Sequence, residues 1–227
     1  MPNNLIIRVT NIILNLTEIL THISHSEKMA TMRIFLSVLL LIFSLQSWTK
    51  ADDIKDFEIE GISIGDSVLD HFTKERIDER KKVGFIYPNK KFFSATIYNN
   101  SKFELYDHVQ FHIKKDDRKY IIKSISGHID YPNNITECYD QLETIDKQFK
   151  KDFEYINYHD TGIIDHVDTS LGTVRSIYIT LKSKDEIVIE CYDYNKKTED
   201  EGFRDHLIIA IDSKEFAYWL SNEAFKE

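Results

Sequence analysis

The chain holds 227 residues, 42% of them hydrophobic and 30% charged, and its formal net charge is −9. That acidic balance repels phosphate backbones, so nucleic acid is excluded as an expected partner. The length allows one domain with a substantial core, and no low-complexity tract or linker interrupts residues 52–227.

Residues 32–51 separate two parts of the chain. Arg33 precedes an uncharged apolar run from Ile34 to Leu45, and Thr49 and Ala51 occupy the −3 and −1 positions of a cleavage site. This is the anatomy of a secretory signal peptide, and the run is short for a bilayer span. Residues 52–227 are therefore expected to form a single exported domain, periplasmic or secreted, without stable membrane insertion. Residues 1–31 read as an extension from an upstream start codon, with Met29 and Met32 as later initiators. Retention of residues 34–48 as a membrane anchor is the rival reading. Loss of residues 1–51 makes the remainder more acidic still, because Arg8, Lys28, Arg33 and Lys50 outnumber Glu18 and Glu27. In an oxidising compartment Cys138 and Cys191 are expected to pair as a disulfide.

Phe57 to Glu60 alternates as a short strand, and Gly61-Ile-Ser-Ile-Gly65 turns the chain. Ser67-Val-Leu-Asp70 has capping-box spacing and predicts a helix carrying Val68, Leu69, Phe72 and Ile77, stopped by Gly84. Strands are expected over 92–98, 105–114 and 120–130. In the second of these, Val109, Phe111 and Ile113 alternate with His108, Gln110 and His112. Asn134 caps the strongest helix, where Ile135, Cys138, Leu142, Ile145, Phe149 and Phe153 recur at three- and four-residue steps. A loop with Gly162 and Gly172 leads to strands over 174–181, 186–194 and 203–212. Residues 212–215 then cap a last helix that turns Phe216, Trp219 and Leu220 inward. The order α-βββ-α-βββ-α predicts an α+β fold: two antiparallel three-stranded meanders, or one six-stranded sheet, with helices on one face. Cys138 then faces the sheet, while Cys191, alternating with Ile187 and Ile189, faces the helices, so both thiols enter one interface.

Several segments are similar to small exported proteins of pelagic marine alphaproteobacteria: residues 56–67, Glu137-Cys-Tyr-Asp140, Glu190-Cys-Tyr-Asp-Tyr194 and residues 205–213. The likeness spans the whole exported part. It implies export and a single domain, with a start near Met32, and supplies no activity or catalytic residue. The helix-plus-three-strands tandem also resembles the β-lactamase-inhibitor-protein architecture, a likeness of fold that carries no function.

Gly61-Ile-Ser63-Ile-Gly65 matches the Gly-x-Ser-x-Gly nucleophile elbow, with Asp165/His166 or Asp205/His206 as partners to name. A turn is the expected reading, because an elbow needs a parallel sheet and a helix that begins at the serine. Asp160-Thr161-Gly162 matches the aspartic-protease triplet, but one triplet lacks the second carboxylate that shares the proton, and loop chemistry is expected. His108 and His112, four apart on a strand, lie roughly 13 Å from one another, too far for one ion, so no metal or other cofactor is expected.

The solvent face of the sheet is the remaining candidate surface. Its expected binding residues are His108, His112, His128 and Tyr178, followed by Tyr192, Tyr194, Arg204 and His206. Tyr, His and Arg are favoured contact residues at interfaces. The leading expectation is a non-enzymatic binding or envelope-accessory module with a small-ligand or envelope-protein partner. A serine hydrolase built on Ser63, and a protein inhibitor or assembly partner, are the alternatives.

Overall fold

The computed structural model describes residues 54–98, 100–132 and 134–226. The signal-peptide reading falls outside these residues. Two short strands, β1 (Glu58–Ile59) and β2 (Ile62–Ser63), form a hairpin ahead of helix α1 (Lys74–Val83). Strands β3 (Phe92–Tyr98), β4 (His108–Lys114) and β5 (Ile122–Asp130) follow, and then helix α2 (Ile135–Asp152). Strands β6 (Tyr155–Asp165), β7 (Gly172–Leu181) and β8 (Glu186–Tyr194) lead to the short helix α3 (Lys196–Asp200), strand β9 (His206–Asp212) and helix α4 (Lys214–Asn222).

The α+β class stands, and of the two arrangements expected the single sheet is the nearer, but it has seven antiparallel strands instead of six, in the order β3-β4-β5-β9-β8-β7-β6. The join is β5 with β9, where Ile125 opposes Ile211 and Gly127 opposes Ile209. The extra strand is β6, which replaces the loop expected around Gly162. It is an edge strand exposed along most of its length, so its sequence has no need to alternate. Register slips between Asp160 and Ile163, and Gly162 supplies φ +62° at that bulge.

One face of the sheet carries the main core. Val109, Phe111, Ile125, Ile177, Ile189 and Ile209 are buried there. Ile77 of α1, the stripe Cys138, Leu142, Ile145 and Phe149 of α2, and Phe57 beside the β1–β2 hairpin cover them. Phe57 stacks 5.7 Å from Phe149 and 4.6 Å from Phe153. The Cys138–Cys191 disulfide, with Cα atoms 6.0 Å apart, joins α2 to β8 within this interface. Tyr106 lies against β5 at Gly127, where any Cβ would come 2.4 Å from its ring.

The helices do not share one face. Helix α4 packs on the opposite side, where Phe216 and Trp219 join Tyr87 and Phe92 in a second cluster. Trp219 sits 4.7 Å from Phe92, and Phe216 sits 4.5 Å from the His112 ring. The apolar stripe of α4 meets a matching apolar patch there, formed by Tyr87 and Phe92. Ser213, whose hydroxyl accepts from Phe216 N–H, caps α4.

Two other helix starts differ from expectation. Ser67 caps only a 3₁₀ turn (Val68–Asp70), accepting from Leu69 N–H, and Thr73 is the residue that opens α1, accepting from Arg76 N–H. Asn134 makes no side-chain cap; its amide donates to Glu137 instead (2.7 Å). Among the described residues no helix is long and apolar enough to cross a membrane.

Candidate functional site

Alternation along β3, β4 and β5 puts Tyr98, His108 and His128 in one cross-strand line on the second face. Pairing of β8 with β9 sets Tyr192 opposite His206 on the same face. The rings form a continuous row. Tyr98 lies 4.9 Å from His108, His108 stacks 4.3 Å from His128, and His128 stacks 5.7 Å from His206. His206 stacks 5.0 Å from Tyr192 with planes 5° apart, and Tyr194 lies 6.1 Å from Tyr192. Five strands contribute, which at the usual spacing makes the row about 19 Å long. Because the rings stack on each other, the chemistry left for a ligand is that of their edges, imidazole nitrogens and phenol hydroxyls.

Burial lowers the pKa of His108, His128 and His206 from the ordinary value near 6.5. His128 is held well below it, with the neighbouring histidines opposing its charge further. All three rings are therefore neutral at pH 7, each with one donor and one acceptor nitrogen. His128 Nε2 meets Ser126 Oγ at 3.0 Å, while its buried Nδ1 has no hydrogen-bond partner.

Beside the row, Glu190 of β8 gathers hydroxyls. Its Oε1 accepts from Ser176 (2.7 Å) and Tyr178 (3.3 Å), and its Oε2 accepts from Tyr192 (3.2 Å). Burial, with the Glu190 charge second, pushes Tyr178 up to about 12 and Tyr192 higher, so both phenols stay protonated donors. His166 approaches Tyr192 at 5.8 Å, and His159 stacks with Tyr178 at 6.4 Å.

The structure thus brings together His108, His128, Tyr192, Tyr194 and His206, with Tyr178 linked to them through Glu190. Arg204 stands exposed at the rim, its Nη1 3.4 Å from Asp130 Oδ2. His112 is the exception. It is on the expected face but not in solvent, because α4 covers it. Tyr87 OH lies 3.1 Å from its Nε2 and Ser124 Oγ 3.2 Å from its Nδ1. Burial lowers its pKa to about 3. Sequence reading gave Tyr98 and His159 no role and His166 one only as a partner for Ser63, since Tyr98 ends its strand and the other two lay in the expected loop. Glu190 was legible as an outward residue, but the hydroxyls that converge on it come from neighbouring strands.

Across from Ser124 on β9 lies Asp212, fully buried, with its carboxyl raised to about 7 mainly by that burial. The folded state therefore holds a proton on Asp212 between about pH 4 and 7 that the unfolded chain has released, and this contribution to stability is lost as pH rises through that window. His112 has the opposite sign: below pH 6.5 the unfolded chain takes up its proton first. Asp212→Asn preserves the neutral shape and leaves His112 unchanged. Relative to the parent, it should gain about 2–4 kcal/mol of unfolding free energy between pH 4 and pH 8. Urea unfolding at several pH values measures this, and a pH-independent difference would contradict it.

Ser63 lies in the β1–β2 hairpin, outside the large sheet. Its hydroxyl donates to Phe57 O (3.0 Å), and its N–H donates to Asp66 Oδ2 (3.0 Å). The next α-helix begins only at Lys74. Asp160 accepts two bonds from Arg175, Nη2 at 2.9 Å and Nε at 3.3 Å, and a third from Gly162 N–H at 2.9 Å, so the Asp-Thr-Gly triplet holds the β6 bulge. Among the described residues no group of three or more His, Cys, Asp or Glu side chains is placed to hold a metal ion.

No family model matches this chain, and no curated protein matches it.

Proposed function

We propose that the chain is an exported, non-enzymatic binding module whose ligand lies along the His/Tyr row of the second face. The observation that carries this reading is the row itself: three neutral histidines and flanking tyrosines stacked across five strands, with a buried imidazole nitrogen left unpartnered. Solvated antiparallel faces carry polar side chains as a rule, but they have no need to stack rings continuously or to hold histidines out of their charged form. Export is supported by the Ile34–Leu45 run with its cleavage-site residues and by the disulfide, a bond that persists in oxidising compartments.

The shape of the site favours an extended polar ligand, such as a segment of an envelope protein. The row runs about 19 Å across the sheet, and a cavity of about 110 Å³ lies elsewhere, lined by Glu60, Asp70, His71 and Asn100 among others. Capture from a cell-envelope extract tests the reading. A ligand held by the parent chain should be lost, by about tenfold or more in affinity, from a His128→Ala/Tyr192→Ala variant that keeps its fold, since truncating central aromatic contacts typically costs about 2 kcal/mol each. Equal recovery by both chains would contradict it.

A further inference from the structure

The segment joining α1 to β3, together with Phe225, leaves a large apolar patch in water. Val83, Phe85, Ile86 and Phe225 are 74, 58, 71 and 64% exposed. The patch rests on a firm floor. Phe85 packs 4.7 Å from Tyr87 and 6.4 Å from Phe225, and Tyr87 packs 4.8 Å from the buried Trp219. Asn89 N–H donates to Ala224 O at 3.0 Å, which ties the segment to the end of α4. These side chains are therefore held outward by the second core beneath them.

The segment that carries Val83, Phe85 and Ile86 has a charge opposite to that of the molecule, while Phe225 stands between Glu223 and Glu227 with Lys226 beside it. From Arg80 to Phe103 there is no acidic residue, while Arg80, Lys81, Lys82, Lys90, Lys91 and Lys102 are basic, in a chain of net charge −9. Lys82 and Lys90 are exposed, and neither has an ion-pair partner among the described residues. Lys91 is the flanking lysine that is paired, 3.7 Å from Glu223.

We propose that this patch docks the protein peripherally on an anionic phospholipid bilayer, with Phe85 and Ile86 at the headgroup–acyl boundary and Lys82 and Lys90 against the phosphates. An apolar segment flanked along the chain by two lysines without an ion-pair partner matches both layers of such a surface, hydrocarbon below and negative charge above. A nucleic acid takes the lysines but leaves Val83 and Ile86 wet. A second copy, seated by two-fold symmetry, sets lysines against lysines. The docked orientation also suits the second face: the patch precedes Phe92, and Tyr98, where the aromatic row begins, lies at the other end of β3, about 20 Å away.

Fluorescence at single introduced thiols tests this in the full chain, because both native cysteines are locked in the disulfide. Ile86→Cys and, as a distant control, the fully exposed Val167→Cys are each labelled with NBD and mixed with phosphatidylglycerol or phosphatidylcholine vesicles. Reading position 86 itself keeps any lipid affinity of residues 34–45 out of the signal. The expected result is a blue-shifted emission, at least about twofold brighter, at position 86 with phosphatidylglycerol alone, weakened by about 0.5 M salt and absent at position 167. Lys82→Glu/Lys90→Glu should lower the vesicle affinity by about tenfold or more. The proposal is overturned by silence at position 86, by an equal response at 167, or by an equal response to phosphatidylcholine. It is also overturned if higher protein concentration without lipid reproduces the shift, which assigns the patch to a second copy, or if polyglutamate does, which assigns it to an acidic protein.

Discussion

Replacing Cys138 and Cys191 together by alanine should lower the unfolding free energy by about 4 kcal/mol. The disulfide closes a loop of 53 residues, and on the chain-entropy model a loop of that size confines the unfolded chain by about this amount. The link also has a structural consequence. It ties α2 to β8, an interior strand of the sheet, in the same interface where Leu142 and Ile145 pack. With a typical urea slope of about 2 kcal/mol per molar, the midpoint should fall by about 2 M. The native fold should survive, because both side chains lie in an apolar layer that accepts alanine. A shift below about 0.5 M would show that the bond does little to confine the unfolded state.

Trp219→Ala should cost about 3–5 kcal/mol, the usual range for deleting a buried aromatic side chain. Trp219 is completely buried, and its ring lies against Tyr87, Phe92 and Phe216. Its Nε1 has no hydrogen-bond partner, so the loss is one of packing alone. The variant also tests on which side α4 docks. If α4 seals the part of the second face around His112, loosening it lets water reach that ring, whose pKa should climb from about 3 toward 6.5. A cost under about 1 kcal/mol, with His112 still depressed, would mean that something other than α4 buries that ring.

Local pattern revealed much of this fold, and long-range pairing concealed the rest. Strands 92–98 and 186–194 appear at their expected bounds, because turn residues bracket β-branched and aromatic runs. The Cys138–Cys191 pair was readable because helical periodicity aimed one thiol and strand alternation aimed the other into the same interface. The merger of two meanders into one sheet depends on β5 meeting β9, across about 80 residues of chain, and no local signal encodes that meeting. Strand β6 escaped notice because an edge strand exposed on both sides leaves no period of two. The side taken by α4 escaped for a different reason. An apolar stripe says that a helix is covered but not by which face, and Phe92 beside Ser94 gave only a faint sign of a second core.

The same distinction holds for the candidate site. Alternation placed His108, His128, Tyr192 and His206 on one face, but it could not show that their rings stack, since stacking arises from the register of four different strand pairs. Nor could it separate His108, which joins the row, from His112, which is four residues away on the same strand and sealed under α4. The convergence of Ser176, Tyr178 and Tyr192 on Glu190 is likewise a property of the assembled sheet.

The histidine ring resonances give the most direct test of the binding surface. Any ligand that the envelope capture recovers is titrated into the labelled protein while the imidazole signals are followed by NMR. Binding on the row should move His108, His128 and His206 together and leave His71, which lines the separate cavity, in place. Movement of His71 with the three row histidines unchanged would contradict the account and shift the binding site to that cavity.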